Sequence, residues 1–252
     1  MSKKRRVLPT GAAGRIGVAV TDRLSERWDI AATDIAGSGC RELDVTDIAA
    51  CRVAFAEADA VVHLAGVPSP EAEWEDLLPA NVIGVHSVAS AAMALRIRGL
   101  VLASSLQAVS SYPADFQVRA GDPSRPANLY GATKAWAEAI GSWVTSVSPI
   151  EAVAMRIGNF AEEPPTGPDV TPRDLAAWLS PDDCAELVCA SVEGPVEGFT
   201  VVNGISANRY RKASFSGAEN QLGYRPSDDA WASLKDTRSG VAGETPAGHT
   251  QR

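Results

Sequence analysis

The stretch Thr10-Gly-Ala-Ala-Gly-Arg-Ile-Gly17 joins a short apolar run to a helical pattern, and it decides the fold of this chain. Gly11 allows a sharp turn after a strand, Gly14 allows backbone amides to approach a pyrophosphate, and Gly17 allows the helix to pack close to the sheet. Arg15 and Ile16 open that helix and are expected to lie against the same ligand. The pattern therefore predicts a dinucleotide-binding turn.

An acidic residue, Asp34, ends the next apolar run, 17 positions after Gly17. A dinucleotide-binding fold places a carboxylate there against the adenosine ribose hydroxyls, where it repels a 2′-phosphate. Because no arginine follows Asp34 until Arg41, we expect NAD rather than NADP as the cofactor. An aspartate that caps a helix is the structural alternative.

Apolar runs alternate with helical patterns along the first 157 residues. Strands are predicted at residues 6–8, 29–33, 60–64, 100–103 and 152–157, and helices at 15–27, 48–57, 73–98 and 130–147. This alternation predicts an α/β fold, a Rossmann-type doubly wound parallel sheet with helices on both faces. Pro9 fits poorly, because its missing N–H breaks the ladder of a central strand.

The alternation of apolar runs and helical patterns ends after Gly158. The proline-rich residues 162–168 favour a loop, and a helix at 181–192 and a strand at 199–202 are predicted beyond it. We therefore predict an NAD-binding domain over residues 1–157 and a small C-terminal substrate-binding lobe over 158–235. The polar, glycine-rich residues 236–252 are expected to form a flexible tail.

The composition excludes several classes of protein. Of the 252 residues, 45% are hydrophobic and 21% are charged, which is ordinary globular usage. The net charge of -8 repels phosphate backbones, so we expect no nucleic-acid partner. Four cysteines without a Cys-x-x-Cys pair, and three histidines without ligand spacing, predict free thiols in a reducing cytoplasm and no metal site.

Neither a membrane span nor an export signal is expected. The longest uncharged run, residues 77–95, contains Pro79, Asn81, Gly84 and His86, which a bilayer would penalise, so it indicates a buried helix. The basic start Met-Ser-Lys-Lys-Arg-Arg is not followed by an apolar segment of signal-peptide length. We predict a cytoplasmic protein with no membrane partner.

A second motif begins the fourth predicted helix. Tyr130-Gly-Ala-Thr-Lys134 places a phenol and an ammonium four positions apart on one helix face, where the ammonium can lower the pKa of the phenol and reach the cofactor ribose. Ser105 follows the fourth apolar run and can donate to the same substrate oxygen. The three residues predict a catalytic group that removes an alcohol proton during hydride transfer to nicotinamide. A solvated Tyr–Lys pair is the structural alternative.

Taken together, these motifs resemble the extended short-chain dehydrogenase/reductases of the NAD-dependent epimerase/dehydratase superfamily. The matching segments are residues 10–17, 44–45, 63–66, 81, 103–105 and 130–134. The resemblance implies that Asp44 and Val45 flank the adenine and that Asn81 lies behind the cofactor site. It also implies that Leu64, Ala65 and Gly66 line the phosphate and ribose passage. A turn residue is the alternative for Asp44, and a helix amide bonded to backbone is the alternative for Asn81.

Within that superfamily the chain is most similar to uronate dehydrogenases, over nearly its whole length. The matching C-terminal segments are residues 155–158, 173–183, 203–208 and 222–226. The resemblance implies a sugar or sugar-acid substrate, a homo-oligomer, and a bidentate contact from Arg173 to a substrate carboxylate. An exposed arginine that begins a helix is the alternative for Arg173.

Three departures from those enzymes affect the expected substrate pocket. Leu106-Gln107 follows Ser105 where they have Asn-His, and Asn159 replaces a serine. An extra residue in the loop 66–70 leaves Ser69 as the counterpart of a substrate-contacting serine. Because Leu106 cannot hydrogen-bond a sugar hydroxyl, we predict weaker activity on galacturonate and glucuronate than the resemblance implies.

Two other functions stay open at this point. A nucleotide-sugar epimerase or dehydratase would use NAD within one turnover, but dehydratases usually place Asp-Glu shortly after the catalytic serine or threonine, and the region after Phe160 makes a small lobe for a nucleotide. A non-catalytic NAD-binding sensor would need only the cofactor end. The joint presence of Ser105, Tyr130 and Lys134 therefore argues against the sensor.

Overall fold

A computed structural model of the chain describes residues 4–36, 39–194 and 196–232. The strands are β1 (Arg6–Thr10), β2 (Asp29–Ile30), β3 (Thr33–Asp34), β4 (Arg41–Glu42), β5 (Ala60–His63), β6 (Gly99–Ser105), β7 (Glu151–Ile157), β8 (Asn159–Phe160), β9 (Trp178–Leu179) and β10 (Phe199–Gly204). The helices are α1 (Arg15–Arg27), α2 (Ile48–Phe55), α3 (Trp74–Leu77), α4 (Val85–Leu95), α5 (Leu129–Val147), α6 (Pro172–Ala176), α7 (Pro181–Glu193) and α8 (Ser216–Leu222).

The main sheet runs in the order β10-β7-β6-β5-β1-β3-β4, with β2 also beside β1 and every pair parallel. From β1 the chain builds outward to β4 and then returns to β5 on the other side of β1. The strand order therefore reverses between β1 and β5, and ligands bind such sheets in the crevice at the carboxyl ends of the strands at that point. The predicted Rossmann-type doubly wound sheet is confirmed.

Helices cover both faces of the sheet and bury two separate cores. Val7 and Val62 face the core that α1 and α7 cover, whereas Leu8 and Val61 face the core under α2, α4 and α5. This alternation follows from the two-residue period of a strand. The first core stabilises α1, which carries the glycine turn at its start.

The chain after residue 158 is divided between the main sheet and its edge. Strand β10 pairs with β7, and α7 packs against α1, so both belong to the main body. A separate two-stranded sheet, β8 with β9, and the short α6 lie beyond β7. The predicted boundary between domains at residue 157 stays a prediction, and the predicted tail at 236–252 lies outside the described residues.

Pro9 is the fourth of the five residues of β1 and is accommodated by a break in the neighbouring strand. The Val7 carbonyl accepts from the Ala31 amide, and the Pro9 carbonyl accepts from Thr33 Oγ1 at 3.0 Å, so Pro9 faces the side of β2 and β3. The predicted single strand at 29–33 is interrupted there, between β2 and β3. The absent N–H thus coincides with the interruption, because a proline cannot donate to the ladder.

The long helix predicted at 73–98 is shorter and irregular. It begins at Trp74, widens to a π-helical turn over Leu78–Gly84, and ends at Leu95, after which Arg96 has a left-handed φ of 56°. Pro79 explains the wide turn, because a proline inside a helix lacks a donor and clashes with a preceding carbonyl. By length and composition Trp74–Leu95 could cross a membrane, but half of its most apolar window is buried inside the fold.

Candidate active site

Two glycines of the turn, Gly11 and Gly17, leave no room for a side chain. Gly11 has a φ of +70°, and a Cβ there would lie 2.5 Å from the Ala65 amide nitrogen after β5. A Cβ on Gly17 would collide with the Gly11 carbonyl oxygen. Gly14 precedes α1 without a side-chain cap, so no side chain at that position covers the first amides of the helix. This arrangement suits a pyrophosphate, which binds to such amides.

Asp34 ends β3 beside the same turn. Its Oδ2 accepts from the Ala13 amide at 2.9 Å, and its Oδ1 accepts from the Ile35 amide at 2.7 Å. Neither bond caps a helix, so the capping alternative does not describe Asp34. The carboxylate instead ties the glycine turn to the end of β3, where it fits the ribose hydroxyls of an adenosine.

Asp44 has a local structural bond. Its Oδ1 accepts from both the amide and the hydroxyl of Thr46, each at 2.8 Å, which is the turn role given as the alternative. Val45 is buried against Gly84, where an added Cβ would lie 2.8 Å from Val45 Cγ2. Neither residue lines the main cleft at the carboxyl ends of the strands.

A cleft of about 410 Å³ opens at the carboxyl ends of β1, β5 and β6. The guanidinium of Arg15 donates to the Phe160 carbonyl at 3.1 Å. The predicted site residues in the lining are Gly11, Gly14, Arg15, Ile16, Gly17, Leu64, Gly66, Ser105, Leu106, Gln107, Tyr130, Lys134 and Asn159. The predicted residues outside the lining are Asp34, Asp44, Val45, Ala65, Ser69, Asn81 and Arg173.

Ser105, Tyr130 and Lys134 meet in this cleft. Ser105 ends β6 and Tyr130 lies in the first turn of α5. The Ser105 hydroxyl donates to the Ile157 carbonyl at 3.5 Å and lies close enough to the Tyr130 phenol to influence its pKa. The Lys134 ammonium donates to the Ala103 carbonyl at 2.9 Å and lies 5.5 Å from the centroid of the Tyr130 ring. Tyr130 and Lys134 are each 7% exposed, so the solvated-pair alternative does not describe them.

Burial governs the acidity of both groups. It raises the pKa of Tyr130, and the hydrogen bond from Ser105 acts in the opposite direction. Burial also lowers the pKa of Lys134 to about 8. Desolvation of the phenolate therefore outweighs the effect of Ser105, and the predicted lowering of the Tyr130 pKa by Lys134 stays a prediction.

His63 is a buried neighbour of the lysine. Its Nδ1 is 2.8 Å from Thr10 Oγ1, and its Nε2 has no hydrogen-bond partner among the described residues. Burial and the charge of Lys134 lower the pKa of His63 to about 3, so the ring is neutral. A neutral ring leaves Lys134 as the cation at this end of the cleft.

Asn81 acts behind the cleft rather than in it. Its side chain accepts from the Val67 amide at 2.8 Å and donates to the Val67 carbonyl at 3.1 Å and to Thr133 Oγ1 at 3.2 Å. These bonds join the loop after β5 to α5. Asn81 is therefore a buried amide bonded to backbone, as the structural alternative states, and it positions the loop that carries Gly66.

A second cavity of about 130 Å³ adjoins the cleft. Leu106, Gln107 and Asn159 line both spaces and so form the boundary between them. Arg173 lines the smaller cavity and donates to the Ser110 carbonyl at 3.2 Å. Ser69 lines neither space, and its hydroxyl donates to Glu71 Oε2 at 3.1 Å.

Two residues of this region were missed from the sequence. Lys212 lines the smaller cavity, but it lies in a segment with no motif, so no local signal could have identified it. Glu138 forms a buried bidentate pair with Arg156, with N–O distances of 2.8 Å, one helical turn after Lys134. Its spacing of four from Lys134 on the same helix was a usable signal.

The parallel sheet, the glycine turn and the Ser105–Tyr130–Lys134 group define the class: an NAD-dependent enzyme of the extended short-chain dehydrogenase/reductase type. The chain belongs to the NAD dependent epimerase/dehydratase family, whose family model matches residues 7–191. The predicted family and the predicted NAD cofactor are confirmed. The glycine turn and Asp34 fit that cofactor without a side chain in its way.

The relatives of the chain include several sugar dehydrogenases. The NAD-dependent glucose-6-phosphate dehydrogenase of Haloferax volcanii is 32% identical, over 89% of this chain and 94% of that protein. The uronate dehydrogenase of Agrobacterium fabrum is 33% identical, over 90% of this chain and 86% of that protein. A crystal structure of a mutant uronate dehydrogenase from Agrobacterium tumefaciens complexed with NAD is 30% identical and covers 96% of this chain and 92% of its own, with a TM-score of 0.84.

Proposed function

We propose that this chain oxidises a hydroxyl group of a sugar or sugar acid, with Ser105, Tyr130 and Lys134 as its catalytic residues. One observation carries the proposal: these three side chains converge in the cleft that begins at the glycine turn. The dehydrogenases named above support the reaction type, because they match the chain over nearly its full length.

The mechanism follows from the positions of the three residues. NAD supplies a hydride acceptor when it is bound. Once the Tyr130 phenol has lost its proton to solvent, its phenolate oxygen accepts the proton of the substrate alcohol, and Ser105 donates a hydrogen bond to the substrate oxygen. The Lys134 ammonium, 5.5 Å from the Tyr130 ring, stabilises the phenolate that must form first. A pKa of about 8 keeps most of this ammonium protonated at pH 7.

The cofactor would be held by the glycine turn and the adjacent loops. Gly11, Gly14 and Gly17, with Arg15 and Ile16, would take the pyrophosphate, and Asp34 the adenosine ribose. Leu64, Ala65 and Gly66 would line the passage toward Tyr130 and Lys134, which would contact the nicotinamide ribose. Asp44 and Val45 would lie near the adenine, and Asn81 would position the loop that carries Gly66.

The substrate would lie between the cleft and the smaller cavity. Leu106, Gln107 and Asn159 border both spaces, and Arg173 would bind an acidic group beyond them. Ser69 would contact the substrate only after its bond to Glu71 opens. The two relatives named above act on a sugar phosphate and on uronates at almost the same identity, so the relatives alone do not select the substrate.

We also propose that the protein is a soluble cytoplasmic homo-oligomer that binds neither nucleic acid nor membrane. Large apolar side chains are exposed on α5, including Trp136 at 38% and Trp143 at 40%, and Ile83 is 43% exposed in the turn before α4. Trp143 stacks on His86 of α4, which makes one continuous surface. A second copy of the chain is the expected partner, because apolar surface of this kind marks interfaces.

An absorbance assay for NADH tests the activity. Purified protein is mixed with NAD and, in separate reactions, with hexoses, hexose 6-phosphates, hexuronates and polyols. We expect NADH to form with at least one carbohydrate. Formation of an epimer or a dehydrated product without net NADH would instead support a nucleotide-sugar epimerase or dehydratase. Binding of NAD without turnover of any substrate would support the sensor.

A further inference from the structure

The smaller cavity contains a lysine that the proposed mechanism does not use. The Lys212 side chain is buried, at 9% exposure, and its ammonium donates to the carbonyls of Pro113 at 2.6 Å and Phe116 at 3.2 Å. An ammonium has three N–H donors, so these two bonds leave one for the cavity that Lys212 lines.

The position of Lys212 is fixed by its backbone. Its amide donates to the Ala176 carbonyl at 3.1 Å, and its carbonyl accepts from the Val118 amide at 3.0 Å. These bonds attach it to α6, which carries Arg173, and to the segment that forms the opposite wall of the cavity. Lys212 is therefore held beside Arg173 by the fold and does not reach the cavity by chance rotation of an exposed side chain.

Two cations thus line one cavity without a compensating acid. Neither Arg173 nor Lys212 has a carboxylate within 4.0 Å among the residues that the structure describes. Asp174 also borders the cavity, but its Oδ2 accepts from the amide and hydroxyl of Thr171 in the cap of α6. Burial and the charge of Arg173 lower the pKa of Lys212, and the charge of Asp115 acts in the opposite direction.

Such a pair costs free energy until an anion neutralises it. A guanidinium offers two parallel donors, and the ammonium adds a third from another direction. One nitrogen of Arg173 donates to the Ser110 carbonyl, and the other donors of the two residues line one cavity, which suits an oxyanion. A carboxylate would neutralise one of the two positive charges, whereas a phosphate ester, with a charge of about -1.5 to -2 at pH 7, would neutralise both.

We propose that Lys212 joins Arg173 as the second cation of a subsite that binds an anionic oxyacid group of the substrate, at the end remote from the reacting hydroxyl. The subsite lies across Leu106, Gln107 and Asn159 from the cleft that contains Tyr130, so one elongated substrate would occupy both spaces. This inference rests on the proposed function for the identity of that substrate as a carbohydrate. The charge count favours a phosphate ester over a carboxylate.

Three sugars that differ only at carbon 6 provide the test: a hexose, the matching hexuronate and the matching hexose 6-phosphate. Their binding to wild-type protein with NADH is measured by NADH fluorescence, and kcat/KM is measured with NAD. We expect an anionic member of the series to bind more tightly than the hexose by about ten- to a hundredfold, the value of one charge-assisted contact. The order of the phosphate and the uronate identifies which oxyacid the subsite prefers.

Substitutions then assign the effect to Lys212. In Lys212→Met the ratio of kcat/KM for the anionic sugar to that for the hexose should fall by about ten- to a hundredfold. Arg173→Lys should lower the same ratio, because lysine keeps the positive charge but lacks the two parallel N–H donors of the guanidinium. The matched control is Arg211→Met, which removes an equal charge one residue away from a side chain that packs on Phe215 instead of lining the cavity.

The proposal is overturned if Lys212→Met lowers activity on all three sugars equally, since that is the effect of losing only its bonds to the Pro113 and Phe116 carbonyls. If that variant does not fold, inorganic phosphate is tested on wild-type protein against the anionic sugar. Competitive inhibition by phosphate, with no inhibition by chloride at matched ionic strength, supports the subsite, and its absence overturns it. Tight fluorescence binding of the anion without NADH production would refute the proposed activity and leave the subsite standing.

Discussion

Two neighbouring influences change the pKa of Tyr130 in opposite directions. Its burial disfavours the phenolate, and the hydrogen bond from Ser105 favours it. Tyr130 lines the cleft, so a substrate hydroxyl that enters the cleft can reach its phenol oxygen. The residue is thus suited to proton transfer from a substrate in the cleft.

Removal of the phenol oxygen tests this role. In Tyr130→Phe the ring keeps its packing and the proton acceptor is lost, so kcat should fall by about two to four powers of ten. NAD affinity, measured by calorimetry, should change little. Near-normal turnover under conditions where chemistry limits the rate would rule out Tyr130 as the base.

Asp34 makes a separate prediction about the cofactor. Its carboxylate beside the glycine turn should disfavour a 2′-phosphate, so wild-type protein should bind NAD more tightly than NADP. Asp34→Asn keeps an acceptor for the Ala13 amide and removes the charge. The difference in affinity between NAD and NADP should therefore become smaller. Both dinucleotides are titrated against both proteins by calorimetry. Equal binding of NAD and NADP by wild-type protein would contradict the assignment.

Lys134 links the site to stability. Its pKa falls from 10.5 to about 8 on burial, so between these two pH values the unfolded chain binds more protons than the folded one. The free energy of unfolding should therefore rise with pH across this window, by about 3 kcal/mol from this group. Urea unfolding at several pH values gives the free energy of unfolding of wild-type protein and of Lys134→Met. The difference between the two proteins is the contribution of Lys134. A difference that is flat between pH 8 and 10.5 would show that the ammonium is not desolvated.

At the scale of elements, α5 carries the site and is attached to the sheet by a buried ion pair. Glu138 accepts from two nitrogens of Arg156 on β7, from Ser104 on β6 at 2.6 Å and from Ser124 at 3.0 Å. The remaining guanidinium donors reach the carbonyls of Ala120 and Asp122. This network holds α5 against the strand that ends at Ser105.

Breaking the network should destabilise the fold. Glu138→Gln leaves the Arg156 charge buried and uncompensated, so the free energy of unfolding should fall by about 3–5 kcal/mol in urea titrations. Glu219→Gln is the matched control, because its pair with Arg225 is exposed and should contribute about 1 kcal/mol or less. Similar losses in the two variants would mean that the buried pair does not anchor α5.

At the scale of the whole molecule, the sheet brings both ends of the site to one edge. The glycine turn follows β1, Ser105 ends β6, and the wall that contains Lys212 comes after β10. Parallel strands present all their carboxyl ends on the same side, so residues distant in the chain share one cleft. The outer surfaces of α4 and α5 lie on a face of the sheet and are available to another subunit.

The proposed oligomer makes the last prediction. Trp143→Glu places a charge in the exposed apolar surface of α4 and α5, so it should convert the oligomer to monomers. Light scattering coupled to gel filtration measures the mass. Tyr210→Glu is the control, because Tyr210 is 65% exposed and packs on Trp231 outside this surface. A wild-type protein that is already monomeric would contradict the proposal.

The sequence by itself determined the features that depend on local spacing. The predicted bounds of α1 are the observed ones, Arg15–Arg27. A glycine turn and one apolar stripe define them. The alternation of strands and helices was enough to predict the parallel sheet and its edge of ligand binding. The interval from Tyr130 to Lys134 was likewise sufficient to place both side chains on one face of α5.

Only the tertiary structure decided the features that depend on segments far apart in the chain. Lys212 meets the carbonyls of Pro113 and Phe116 across more than 90 residues, and Arg156 meets Glu138 between β7 and α5. The burial that raises the pKa of Tyr130 was not predicted from the sequence, because spacing reveals the nearby ammonium but not the burial. Desolvation and long-range contacts are set by which elements pack together, and no local pattern contains that information.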